Sequence, residues 1–256
     1  MPPMVLTFAA SDPTGGAGVQ ADLLTIAALD CHPLSVITGL TVQDTRGVAR
    51  VMAVESEWVR SQAQHVLADI EAAAFKTGVL GSAANVRAVT EIAASHARVP
   101  LVVDPVLASG RGDALAADGT LEAMRKYLLP RTMVLTPNSV EARRLAGESS
   151  LAACARRLVD DGCQYVLITG THEATDEVVN TLYDGTGVVR EDRWQRLAGE
   201  YHGSGCTLAS AIAARLAHGA SVADAVREAQ DFTWHALAAG FRAGHGQLLP
   251  QRFHGR

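Results

Sequence analysis

An α/β fold built on a largely parallel central sheet is what this sequence predicts, on three observations. Apolar runs of strand length alternate with amphipathic runs of helix length from one end of the chain to the other, the signature of successive βαβ units. The turns that follow the strand candidates are unusually polar, as at the ligand-binding edge of such a sheet. No internal repeat, low-complexity tract or Pro/Gly/Ser-rich linker interrupts the pattern, so residues 1–256 read as a single domain.

The strand candidates are short apolar runs bounded by turn residues, at 5–9, 35–38, 74–77, 101–104, 133–136 and 165–169. Helical spacing of apolar positions predicts helices over 19–29, 57–70, 83–97, 121–129, 140–146 and 151–161, with Ser56 and Ser82 standing where N-caps belong. After Asp176 the pattern changes to two β-rich runs around Asp184-Gly185-Thr186-Gly187, which reads as a hairpin. Helices at about 205–217 and 222–241 follow.

Hydrophobic residues make up 48% of the 256, enough to bury a sizeable core. A formal net charge of -5, with Lys76 and Lys126 the only lysines, gives no basic field for a nucleic acid. The start Met1-Pro2-Pro3-Met4 has no basic region ahead of an apolar one, and no stretch approaches the ~20 apolar residues of a membrane span. A cytoplasmic protein without membrane or nucleic-acid partners is therefore expected. Cys31, Cys154, Cys163 and Cys206 are scattered, which suggests reduced thiols rather than a disulfide or zinc framework.

Six polar turns follow the strand candidates: "SDPTGGAGVQADL", "TVQDTRG", "KTGVLGS", "DPVLASGRGD", "TPNSVEA" and "ITGTH". Within the first, Gly16 to Ala21 match the dinucleotide fingerprint G-x-G-x-x-G/A, which raises a nicotinamide oxidoreductase as a rival reading. That rival wants a carboxylate at the end of the second strand, where the chain has Gly39-Leu40-Thr41, with Asp44 only nearby. A second glycine-rich turn, Gly203-Ser204-Gly205-Cys206, opens a helix. Its free N–H groups and the positive helix end make a cradle for an anion. No Walker motif is present, so a phosphate held there would belong to a kinase of another architecture. Phosphoryl transfer needs charge neutralisation, a metal on the phosphates and an acceptor for the alcohol proton. Asp104, Asn138 and Glu141 have the oxygen chemistry that Mg²⁺ takes, although Asn138 and Glu141 also fit a helix capping box. Cys206 is the candidate base, its thiol expected to be acidified by the helix N-terminus; the alternative is a small buried hydrophobe.

In combination, "SDPTGGAGVQADL", "VQDTRGV", "KTGVLGS", "DPV", "TPNSVEA" and "HGSGCTLASAIAA" closely resemble the hydroxymethylpyrimidine/phosphomethylpyrimidine kinases of thiamine biosynthesis, in the ribokinase-like superfamily. The resemblance covers nearly the whole chain. It implies a three-layer α/β/α sandwich that phosphorylates 4-amino-5-hydroxymethyl-2-methylpyrimidine and then its monophosphate. ATP and Mg²⁺ are the implied cofactors, a homodimer the implied assembly. Substrate contacts carry over to Asp22, Gln43 and Val79, with Ala17, Thr41 and Val106 lining the ring. Nucleotide contacts carry over to Asn138, Thr169 and Gly170, the metal to Asp104 and Glu141, and catalysis to Gly203, Ser204, Gly205 and Cys206. A Gln at position 43 suits the pyrimidine, since a carboxamide can accept from a ring amino group and donate to the adjacent ring nitrogen. Pyridoxal kinase of the same fold and a non-catalytic pyrimidine sensor are the alternatives.

Two departures stand out. Relatives commonly read Lys-Gly-Gly-His where this chain reads Thr169-Gly170-Thr171-His172, so a cation is absent there, with Arg111, His172 or a second metal ion as candidate replacements. The ending "AGHGQLLPQRF" also departs from the usual Gly-His-Gly-x-x-x-His-Phe, and the sequence assigns it no role.

Overall fold

The computed structural model describes residues 1–106 and 119–255; Arg111, and with it the turn beyond Val106, lies outside the described residues. In chain order the elements are β1 (Met4–Ser11), α1 (Gly18–Ala28), β2 (His32–Gln43), β3 (Val48–Ala53), α2 (Ser56–Asp69), β4 (Ala74–Thr77), α3 (Ala83–Ser95) and β5 (Leu101–Val103). There follow α4 (Thr120–Ala123), β6 (Val134–Leu135), α5 (Ser139–Ala146), α6 (Leu151–Asp160), β7 (Tyr165–Thr169), β8 (Glu177–Asp184), β9 (Gly187–Gln195), α7 (Ser204–Ala217) and α8 (Val222–Ala238).

The strands form one 9-stranded sheet in the order β3-β2-β1-β4-β5-β6-β7-β8-β9. Strands β2, β1, β4, β5, β6 and β7 run parallel, while β3 at one edge and the β8–β9 hairpin at the other pair antiparallel to their neighbours. Strand alternation sorts the apolar side chains onto two faces. Leu6, Phe8, Phe75, Val103, Leu135, Val166 and Ile168 pack on one side with apolar residues of α2, α3, α5 and α6. Val5, Ala74, Val102, Val134 and Leu167 pack on the other with those of α1, α7 and α8. The result is the expected three-layer sandwich. The chain runs outward from β1 to β2 and β3 and returns through α2 to β4 on the other side of β1, so the topological switch point, where ligands collect in such sheets, lies between β1 and β4. Helix α7 packs against β1, β4 and β5, which brings its N-terminus to that point.

Several sequence expectations change in detail. The second strand extends to Gln43 and pairs with the unforeseen edge strand β3, half-exposed and therefore poorly marked by apolar alternation. The helix expected over 121–129 is α4 followed by a π turn (Met124–Leu128) and a 3₁₀ turn (Leu129–Arg131), where Pro130 has no N–H to continue the ladder. Ser56 is the first helical residue rather than the cap, which is Glu55, whereas Ser82 does cap α3 by accepting from the Asn85 amide.

Candidate active site

The two glycine-rich turns meet back to back at the switch point. Gly203 has φ +79°, and a Cβ there would lie 1.9 Å from the Gly16 carbonyl oxygen, so only glycine fits. Gly18, at φ +60°, would drive a Cβ to 2.4 Å from the Ala10 carbonyl oxygen, and one on Gly16 would lie 2.5 Å from the His202 ring. Both glycines of the fingerprint match are thus required by chain packing. The contact is fastened by Asp12, which accepts from the Ala17 amide (2.7 Å), the Thr14 amide (2.9 Å) and hydroxyl (2.8 Å), and pairs with His202 Nε2 (3.0 Å). Burial alone would raise the Asp12 carboxyl; the bonds from His202, Thr14 and Ala17 outweigh it and hold it below the usual carboxylate range.

Helix α7 starts at Ser204, and the Thr207 amide donates to Gly203 O at 3.0 Å. The Ser204, Gly205 and Cys206 amides precede that ladder and face the anion side of the turn. Beneath them lies a buried cluster of charge. Lys76 is fully buried, its Nζ 2.7 Å from Asp22 Oδ1, and Asp22 also accepts from Ser210 Oγ at 2.8 Å and from the Thr7 hydroxyl. Asp104 lies next to this pair, its Oδ2 without a hydrogen-bond partner. Cys206 lies beside this group, close enough that Lys76, Asp104, Asp22 and the Gly18 amide all act on its thiol.

The electrostatics correct the expectation of an acidified Cys206. Burial pushes the Cys206 thiol up to about 12, and Asp104 and Asp22 oppose the lowering effect of Lys76 and of the Gly18 amide. In the resting protein Cys206 is a thiol. Asp104 is likewise raised, to about 6, first by burial and then by Asp22, against the attraction of Lys76. Lys76 is held protonated: the attraction of Asp22, Cys206 and Asp104 exceeds the effect of burial.

The remaining site residues expected from the sequence fall on both sides of the α7 tip. Ala17 caps α1, and Thr41 and Gln43 alternate on the end of β2, the Thr41 hydroxyl donating to Ser11 O at 2.8 Å. Val79 follows β4 and Val106 follows β5, so these residues line the edge over β2, β1, β4 and β5. On the other side, Asn138 bridges Thr169 across β6 and β7, and the Gly170 amide donates to Asn180 Oδ1 at 3.1 Å. His172, exposed, lies on the turn beyond Gly170. Two expectations need correction. Asp22 is not exposed to a substrate: it is 0% accessible and both carboxylate oxygens are taken by Lys76, Ser210 and Thr7. Glu141 and Asn138 form the capping box, with Asn138 Oδ1 accepting from the Val140 and Glu141 amides and Glu141 Oε2 from the Asn138 amide. Among the described residues no cluster of three His, Cys, Asp or Glu side chains holds a metal by itself.

Sequence reasoning passed over Lys76, His202 and Arg252. Lys76 did leave a signal: a lysine inside the four-residue strand Ala-Phe-Lys-Thr of a two-sided parallel sheet demands a buried carboxylate partner.

Residues 12–251 match the family described as phosphomethylpyrimidine kinase. The chain belongs to that family. It is 45% identical over 254 residues to a hydroxymethylpyrimidine/phosphomethylpyrimidine kinase of Streptomyces coelicolor, covering 96% of this chain and 92% of the relative. Among solved structures, a pyridoxal kinase from Staphylococcus aureus in complex with AMP-PCP and pyridoxal superposes with TM-score 0.89 at 31% identity, covering 99% of this chain and 95% of that one. A phosphomethylpyrimidine kinase from Clostridium difficile gives TM-score 0.79 at 32% identity over 90% of this chain and 97% of that one. Membership of the phosphomethylpyrimidine kinase family makes the protein an enzyme with a ribokinase-like fold and removes the oxidoreductase reading of Gly16 to Ala21.

Proposed function

We propose that this kinase transfers the γ-phosphoryl group of ATP to 4-amino-5-hydroxymethyl-2-methylpyrimidine, and then a second to the monophosphate, in thiamine biosynthesis. The observation that carries the reading is the α7 tip, where the first amides of the helix after Gly203 stand beside Cys206 and Asp104. The acceptor pyrimidine sits over Ala17, Thr41, Val79 and Val106 with Gln43 reading its ring edge, and the nucleotide over Asn138, Thr169 and Gly170. As the hydroxyl oxygen bonds to the γ-phosphorus, the bond to the β-phosphate oxygen breaks and ADP leaves. The amides face the charge on the transferred group. The hydroxyl proton passes to the Cys206–Asp104 pair, since Cys206 is not a thiolate at rest.

The residues present fit a magnesium ion: Asp104 Oδ2 is a buried, unpartnered carboxylate oxygen, and Mg²⁺ asks for only one or two carboxylates beside phosphates and water. Asp104 would hold it, and when bound it would neutralise phosphate charge. No helix among the described residues is long and apolar enough to cross a membrane, which accords with the cytoplasm as the site of action. Leu40, Val42, Met52 and Trp58 are exposed on or beside the β2–β3 ribbon, the face we assign to a homodimer.

The test is ADP release with Mg-ATP, offering the alcohol, its monophosphate and pyridoxal in parallel. Turnover of both pyrimidines is the expected result. Turnover of pyridoxal alone would establish the second reading, which the higher TM-score of the pyridoxal kinase favours. Nucleotide and pyrimidine binding with no turnover would leave a sensor.

A further inference from the structure

The C-terminal segment has no task in the reading above, yet the structure gives it a definite path. The Gly246 amide donates to Thr45 Oγ1 at 3.0 Å and the Gln247 amide to Thr45 O at 2.8 Å, tying the segment to the turn between β2 and β3. It then runs beside the chain entering the anion turn, where the Leu248 amide donates to Glu200 O and the His202 amide to Leu248 O, each at 2.9 Å. It reaches Arg252, which is only 4% exposed. The guanidinium donates from Nη2 to Gly16 O at 2.5 Å, from Nη1 to Gly15 O at 3.3 Å and from Nε to Thr207 Oγ1 at 3.1 Å. Thr207 in turn donates its hydroxyl to Gly203 O at 2.8 Å.

One buried cation therefore bridges the two glycine-rich turns, which lie far apart in sequence. Burying a guanidinium on neutral oxygens recovers only part of its hydration, so a clasp of this kind is an expensive way to gain stability alone. What it gains is geometry. Gly16 precedes the acceptor-side residue Ala17, and Thr207 follows the candidate base Cys206. We infer that Arg252 is a positioning residue for phosphoryl transfer, holding the acceptor-side turn in register with the α7 tip so that the acceptor oxygen and the transferred group meet in line. The inference rests on the proposed placement of the acceptor at Ala17.

The experiment compares Arg252→Met and Arg252→Lys with the unaltered kinase. Misplacing a reactant costs turnover rather than nucleotide affinity, so R252M is expected to lose about tenfold or more in kcat. KM for the acceptor rises with it, Kd for ADP by calorimetry is unchanged, and R252K recovers part of the loss. Hydrogen exchange on the same proteins is expected to quicken at the Gly16 and Ala17 amides and not within α7 beyond Thr207. Unchanged kcat and acceptor KM in folded R252M would overturn the inference, as would a parallel loss of ADP affinity that lysine does not repair. If R252M does not fold, R252K carries the same comparison, and unchanged kcat with unchanged exchange at Gly16 overturns it. If the unaltered kinase turns over neither pyrimidine, the acceptor reading fails, and exchange at Gly16 and Ala17 alone decides the clasp.

Discussion

Replacing Asp104 with asparagine is expected to stabilise the protein while removing its activity. Burial lifts the Asp104 carboxyl from 3.8 to about 6, and the attraction of Lys76 does not offset it. The folded state therefore holds this proton more tightly than the unfolded chain does. The sign follows: below about pH 4 the group is protonated in both states and costs nothing, and the penalty grows as the pH rises through 6. At about 1.4 kcal/mol for each pH unit between the two values, the ionised carboxylate costs about 3 kcal/mol at neutral pH. The asparagine carboxamide cannot ionise and escapes that cost. Urea unfolding of D104N and the unaltered protein, in EDTA from pH 4 to 7.5, should show a stability difference that widens by about 3 kcal/mol toward neutrality, or a Tm gain of roughly 6–12 °C. Turnover of D104N is expected to be lost at every pH. A difference that stays flat or shrinks as the pH rises would refute the account of Asp104 as a strained, functional charge.

Cys206→Ala is expected to lower kcat about a hundredfold with little change in Tm, because it removes one partner of the proton-accepting pair but no large packing volume; an unchanged kcat removes Cys206 from the mechanism. Gln43→Ala should raise the acceptor KM by about 1–3 kcal/mol of lost pairing and leave the nucleotide KM alone, and an equal rise in both would place Gln43 elsewhere. Lys76→Met strands the Asp22 carboxylate in the core and is expected to cost about 3–5 kcal/mol in urea unfolding, most of it recovered by Lys76→Met with Asp22→Leu. A single variant as stable as the unaltered protein would show that the Lys76–Asp22 pair does not hold the core together.

The sheet was legible in the sequence wherever strands are buried on both faces, because a short apolar run such as Phe75 beside Ala74 or Val102 beside Val103 has no other home. It was illegible at β3, where Ala49, Arg50, Met52 and Ala53 are exposed and the apolar signal fades. The glycines and Cys206 could be read because a turn that must approach a ligand or another turn tolerates few residue types. The pKa of Cys206 could not: a helix N-terminus alone predicts acidification, and the sign is reversed by burial beside Asp104 and Asp22, which come from strands and helices far along the chain. Asp22 misled for the same reason. Its position one turn into α1 is compatible with a substrate contact, and only the lysine on β4 shows that it faces inward.

The buried pair of Lys76 and Asp22 explains why the site can keep Asp104 charged at all. Without Lys76, the region under α7 would hold two carboxylates and a thiol in a space that already raises Asp104 and Cys206. With Lys76 paired to Asp22, the ammonium still attracts Asp104 and Cys206. The ammonium thus partly offsets, at Asp104 and Cys206, the charge that Asp22 brings beside them. Since Lys76 is inaccessible and held by Asp22, it stabilises negative charge at the α7 tip without competing for phosphate or solvent. In the proposed transfer, that division of labour leaves the backbone amides of Ser204 to Cys206 to meet the transferred group.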